Sequence, residues 1–81
     1  MGFYSSYAWK KKRREIREYY SGKCAVCGCD GSAVHHVIPR EIDSSLSFDD
    51  NNLIFLCDVC HKRAHLSIYS QDQLLKLARK E

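Results

Sequence analysis

Nine side chains in this 81-residue sequence, five cysteines and four histidines, belong to types that bind metal ions or move protons, and eight of them fall into close pairs. Cys24-Ala25-Val26-Cys27 and Cys57-Asp58-Val59-Cys60 are two C-x2-C turns. Each presents two thiolates from one tight turn, and two such turns complete the tetrahedron that zinc accepts in a closed structural site. The interval between them is about ten residues longer than in a simple zinc ribbon, room enough for a hairpin between the knuckles. Two disulfides are the competing use of the same four residues. A Cys2His2 finger fits poorly, because Cys27 to His61 far exceeds the roughly 12 to 15 residues that finger spans. Cys29 is left over as a free thiol, since Cys27-Gly28-Cys29 is a poorer chelating turn.

The histidines form His35-His36 and His61-x3-His65. Residues four apart on a helix share a face, so His61 and His65 can aim their imidazoles at one ion. A neutral histidine also serves as a general base near neutral pH without a large pKa shift. The alternative reading makes these residues hydrogen-bonded core histidines.

Other features bound what such groups can do. A chain this short buries only about 60 to 65% of its unfolded surface, which favours a metal or disulfide staple. MGFYSSYAWKKKRR lacks the apolar run of a signal peptide, and no stretch approaches the roughly 18 apolar residues of a membrane span. The expectation is a soluble protein of the reducing cytoplasm, where paired cysteines more often hold metal than each other.

The net charge of +3 is unevenly spread. Residues 1–23 carry Lys10, Lys11, Lys12, Arg13, Arg14, Arg17 and Lys23 against Glu15 and Glu18, whereas residues 24–81 carry a small acidic excess. Such asymmetry suits an element that meets a polyanion, since basic groups near phosphates release counterions; a solvated helix face is the bland alternative.

The elements that must position these groups follow from pattern. Residues 6–21 read as a helix, capped by Ser5 or Ser6, stopped at Gly22, with Trp9, Ile16, Tyr19 and Tyr20 as a buried stripe. A cysteine knuckle follows over residues 24–31, with Gly28 and Gly31 supplying tight turns. Residues 33–38 form a strand stopped by Pro39, residues 40–52 a polar hairpin loop, and residues 53–56 the returning strand. A helix spans residues 58–66, and a last helix spans residues 71–80, with Ser70 and Gln73 as a capping box and Leu74, Leu75, Leu77 and Ala78 as its apolar face.

In this order the runs CAVCG, VHHVIP and NNLIFLCDVCHKRAH resemble the HNH endonucleases over residues 24–65. The cysteine frame, the His-His-x-x-Pro step, the Asn-Leu step and the Cys-His-x3-His ending carry the resemblance together. It implies one small α+β domain over residues 1–81, zinc-stabilised. The ββα-metal (His-Me finger) core would lie at about residues 24–67, between the basic N-terminal helix and the C-terminal helix. It further implies a metal-dependent phosphodiester hydrolase acting on double-stranded DNA with low sequence specificity, leaving 5′ phosphate and 3′ hydroxyl ends. His36 would be the general base and Asn52 the asparagine that braces the loop and orients that base. His35, His61 and His65 would ligate the catalytic divalent metal, and Cys24, Cys27, Cys57 and Cys60 the structural zinc. Three histidines suit zinc, nickel or manganese better than magnesium, which returns as a choice if His65 does not ligate.

FYSSYAWKKKRREI is similar to the basic helix preceding the motif in small phage-encoded HNH proteins. That likeness implies a phage role in the host cytoplasm and a DNA-packaging, terminase-type partner. Lys10, Lys11, Lys12, Arg13, Arg14 and Arg17 would grip flanking backbone, with Arg40, Lys62 and Arg63 nearer the scissile strand. Such contacts position a duplex without reading bases. Neither nicking versus double-strand cleavage nor oligomeric state is legible. A zinc-stabilised module that binds nucleic acid or protein without catalysis is the rival.

One local expectation is sharp. In a regular strand His35 and His36 face opposite sides, so a shared site needs a bulge or a strand end there. A structure that held those imidazoles on opposite faces would sink the shared-site assignment.

Overall fold

The computed structural model describes residues 2–80. Uninterrupted by Gly or Pro, the basic segment forms α1 (Tyr7–Tyr19), and the Ser6 hydroxyl caps it by accepting the Trp9 amide at 3.2 Å. The helix stops where Ser21 and Gly22 adopt φ of 56° and 74°, and the Gly22 amide returns to the Arg17 carbonyl at 2.9 Å. A single 3-10 turn, Phe3–Ser5, precedes α1.

The knuckle between α1 and the first strand is closed by an isolated bridge between Lys23 and Asp30. Gly28 has the left-handed φ expected of a tight turn, 79°. Gly31 is required for another reason: the Phe55 ring lies where its side chain would go.

Strands β1 (Ala33–His36) and β2 (Leu53–Leu56) pair antiparallel, from Ala33 opposite Leu56 to His36 opposite Leu53. The Val37 amide still meets the Asn52 carbonyl in register at 3.0 Å, but the Asn52 amide turns back to the Asp49 carbonyl at 2.9 Å, so the first strand is shorter than expected. The pairing is regular, and of the bulge or strand end expected at His35-His36 it is the strand end that occurs, since β1 stops at His36. The loop that follows contains single 3-10 turns at Ser44–Leu46 and Asp50–Asn52.

All four residues of β2 are buried because helices cover both faces of the hairpin. On one face Trp9 and Ile16 of α1 pack on Leu53 and Phe55. On the other, Ile54 and Leu56 join Cys24, Val37, Cys60 of α2 (Asp58–His65), and Leu74 and Ala78 of α3 (Gln71–Ala78). The capping box at Ser70 and Gln73 is formed.

Tyr19, expected in the buried stripe of α1, faces outward. At about 100° per residue, Trp9, Ile16 and Tyr20 fall within a narrow arc while Tyr19 lies roughly 80° away. Leu77 of α3 is likewise exposed. Among the described residues no helix is long and apolar enough to cross a membrane.

Candidate metal and catalytic site

The two knuckles bring the sulfurs of Cys24, Cys27, Cys57 and Cys60 within 4.8 Å of one another, with none in a disulfide. Cys27 and Cys57 Sγ are 3.6 Å apart, close to the roughly 3.8 Å edge of a thiolate tetrahedron with zinc at about 2.3 Å. Burial pushes the Cys24 thiol up, but amides of the two knuckles outweigh it and bring it down to about 6. Burial pushes Cys60 up to about 12, so the bare cluster does not carry four thiolates at neutral pH. The donor set fits a divalent, thiophilic ion that supplies the missing positive charge. Tyr69, which the sequence did not single out, donates its hydroxyl to Cys60 Sγ at 3.7 Å. Cys29 stays outside the cluster and is exposed.

Cys57 also caps α2, its sulfur accepting the Cys60 amide at 3.5 Å. The knuckle thus fixes where α2 begins, and His61 follows Cys60 directly. One turn later comes His65, whose Nε2 is 3.0 Å from that of His61. His35 of β1 completes the group, its ring centroid 5.2 Å and 5.1 Å from those of His61 and His65. Ligand nitrogens of all three lie within 4.8 Å of one another. Burial, followed by the two facing imidazoles, lowers the His35 pKa to about 4; burial and His65 lower His61. At neutral pH His35 and His61 are therefore neutral, with lone pairs free for a cation. Three histidines at the edge of a cleft leave coordination positions open, which a catalytic ion needs.

His36 lies on the other face of the hairpin. Its ring stacks on Trp9 at 4.9 Å and 22°. By face alone it is separated from the three-histidine group. The strand ends there, however, and one cleft of about 650 Å³ wraps around that end, lined by His35, His36, Arg40, His61 and His65 among others. The two imidazoles thus stand on opposite faces of the hairpin, against the expectation for a shared metal group, and what they share is the lining of this cleft.

The His36 Nε2 is 3.1 Å from the Ser47 carbonyl, which can only accept, so neutral His36 carries its proton on Nε2 and presents a bare Nδ1. Burial lowers its pKa, which keeps that lone pair unprotonated at neutral pH. Neither Ser47 nor the stacking role of Trp9 had any sequence signal, because a carbonyl partner depends on where the loop passes.

Asn52 is buried, and its amide grips the loop. Oδ1 accepts the Ile38 amide at 2.8 Å, while Nδ2 donates to the Ile38 carbonyl at 3.1 Å and the Leu46 carbonyl at 3.4 Å. Leu46 precedes Ser47, so the brace ends one residue from the carbonyl that meets His36.

The basic residues divide. Arg40 lines the cleft, its Nε donating to Ser47 Oγ at 3.2 Å and its guanidinium 3.8 Å from the Phe3 ring centre. Lys62 and Arg63 are exposed on α2 but do not line the cleft. Lys10, Arg13, Arg14 and Arg17 share one face of α1 and line a separate groove with Ser32 and Phe55. Lys11 is exposed and outside that groove. Lys12 is turned inward, paired with Asp50 at 2.7 Å and Glu15 at 3.4 Å.

Comparison with known proteins bears on the family and the fold. The family model for HNH endonuclease matches residues 24–66. Among solved structures, the manganese-bound HNH endonuclease of the deep-sea thermophilic bacteriophage GVE2 is similar, with 28% identity and a TM-score of 0.78. The likeness covers 82% of this chain and 77% of that one. No curated protein matches the sequence.

Proposed function

The chain belongs to the HNH endonuclease family and is a nuclease, a phosphodiester hydrolase, and from that premise we propose that it cleaves double-stranded DNA at the cleft around His36. The observation that carries this reading is the pairing of a proton-accepting histidine and a three-histidine group on one cleft. His35, His61 and His65 would hold the divalent metal, and manganese is the first choice because the similar phage enzyme was solved with it. That ion supplies positive charge to the phosphoryl oxygens and to the leaving 3′ oxygen.

The remaining steps belong to the chain's own groups. His36 Nδ1 takes a proton from the attacking water, while the Ser47 carbonyl stabilises the imidazolium that results by accepting from Nε2. Trp9 fixes the plane of the ring, and Asn52 holds the loop that carries Ser47. Arg40, steered by Phe3 and Ser47, meets a phosphate at the cleft wall. Lys10, Arg13, Arg14 and Arg17 grip flanking backbone, and Lys62 and Arg63 meet the strand from the α2 side. Those contacts go to phosphate, so sequence preference is low. Zinc on Cys24, Cys27, Cys57 and Cys60 would hold α2, and with it His61 and His65, in place. A role in phage DNA processing or packaging, with a terminase-type partner, rests on likeness to phage-encoded relatives.

The test is nicking of supercoiled plasmid by wild type and His36→Ala. The substitution is expected to lower the rate by about 10²- to 10⁴-fold, the usual worth of a general base, with bound zinc and circular dichroism unchanged. Full activity in His36→Ala would refute the assigned base.

A further inference from the structure

Lys80, two residues beyond α3, makes three side-chain hydrogen bonds, and neither metal-binding group uses it. Its ammonium donates to the carbonyls of Asp50, Leu53 and Ala78, each at 2.6 Å. An ammonium has three hydrogens, so this set uses all of them. The rings of Tyr19 and Tyr20 stand 5.4 Å and 5.1 Å from Nζ. The Lys80 backbone amide donates to Asn51 Oδ1 at 2.9 Å. Burial brings the pKa of Lys80 down to about 8, which still leaves the ammonium the main form at neutral pH.

Asp50, Asn51 and Leu53 flank Asn52 on both sides. Lys80 thus grips the turn from which Asn52 reaches into the loop, beside the Asp49 side-chain cap and the Lys12–Asp50 pair. From Asn52 the bonds continue to Ile38 and Leu46, and the next residue, Ser47, meets His36. Each link is a hydrogen bond or one peptide step, and the turn between Asp50 and Asn52 is a single 3-10 turn with few bonds of its own.

We propose that Lys80 is a positioning residue for the nuclease reaction, holding the Asp50–Leu53 turn so that Asn52 and the Ser47 carbonyl keep His36 in its reactive orientation. This rests on the reading of His36 as base. Lys80 does not line the cleft, and its ammonium faces three carbonyls. Its effect therefore falls on turnover and not on substrate affinity.

The test compares Lys80→Met, Asn52→Ala and the double variant, each with bound zinc and circular dichroism verified. Lys80→Met keeps the alkyl stem and removes the three donors. Its kcat for plasmid nicking should fall about tenfold with KM unchanged, as expected of a sub-ångström misplacement of a catalytic group. In the Asn52→Ala background the same substitution should have no further effect, because the path is already cut. A readout independent of catalysis is hydrogen exchange of the Ile38 amide, which should quicken severalfold in Lys80→Met if its bond to Asn52 loosens. Ethylammonium added to Lys80→Ala should restore part of the lost turnover by refilling the carbonyl cage. Unchanged kcat, a change in KM alone, additive loss in the double variant, or unaltered Ile38 exchange would each overturn the proposal. If wild type does not nick DNA, the His36 reading fails, while the exchange measurement still decides the coupling.

Discussion

The four-cysteine group and the three-histidine group share one short helix, since Cys60 and His61 are consecutive, yet they are built for opposite purposes. Two of the four sulfurs, Cys24 and Cys60, are buried, and four soft ligands fill a tetrahedron. The histidines number three, the last of them is exposed, and they stand at the wall of a wide cleft. A filled coordination shell is suited to holding structure and an incomplete one to chemistry. On the proposed reading the contrast assigns the first site the task of aiming the second: Cys57 starts α2, the helix that carries His61 and His65.

The largest effect should come from breaking the closed site. Cys60→Ala is expected to abolish both zinc binding and the cooperative fold. Apparent zinc-binding energies of about 10–16 kcal/mol match or exceed the whole stability of a small domain, about 5–15 kcal/mol. Circular dichroism with metal analysis checks this. A folded, zinc-free Cys60→Ala would erase the distinction between the sites.

A middle-sized effect is expected from Asn52→Ala. It strips the Ile38 amide of its buried partner, which costs about 1–3 kcal/mol of stability, and it should also lower turnover. Denaturant unfolding measures the first part and plasmid nicking the second. A loss of stability with unaltered turnover would confine Asn52 to the fold and detach it from His36.

The same contrast explains what could be read from the sequence. The C-x2-C turns, the His61-x3-His65 spacing, the β2 run and the Ser70–Gln73 cap are local patterns, each set by neighbours within one turn, and the structure contains all of them. The orientation of His36 was not legible, because it depends on a carbonyl eleven residues away and on a Trp from another element. Of the bulge or strand end expected at His35-His36, the strand end occurs, and the cleft curves round it. The basic run looked uniform, but tertiary contacts divide it, turning Lys12 toward Asp50 while four neighbours line the groove.

The smallest effect is a pH dependence confined to the open site. Without metal at the histidines, His35 has a folded pKa of about 4 against an ordinary 6.5. The unfolded chain therefore binds the extra proton first, so the stability linked to His35 is fully present above pH 6.5 and is lost as pH falls toward about 4. Thermal melts over that window should fall more steeply for wild type than for His35→Asn. Parallel curves would show that His35 is not held neutral by its surroundings.

The most direct test of two metals with two duties is a manganese titration of plasmid nicking by zinc-loaded wild type and zinc-loaded His61→Ala. Wild type should begin to nick only as manganese fills the histidine site. His61→Ala should keep its zinc and its melting temperature yet fall at least about 100-fold in rate, the upper range for loss of even an outer-shell partner. Nicking by His61→Ala at the wild-type rate, or loss of its zinc and fold together, would contradict the division of labour between cysteines and histidines.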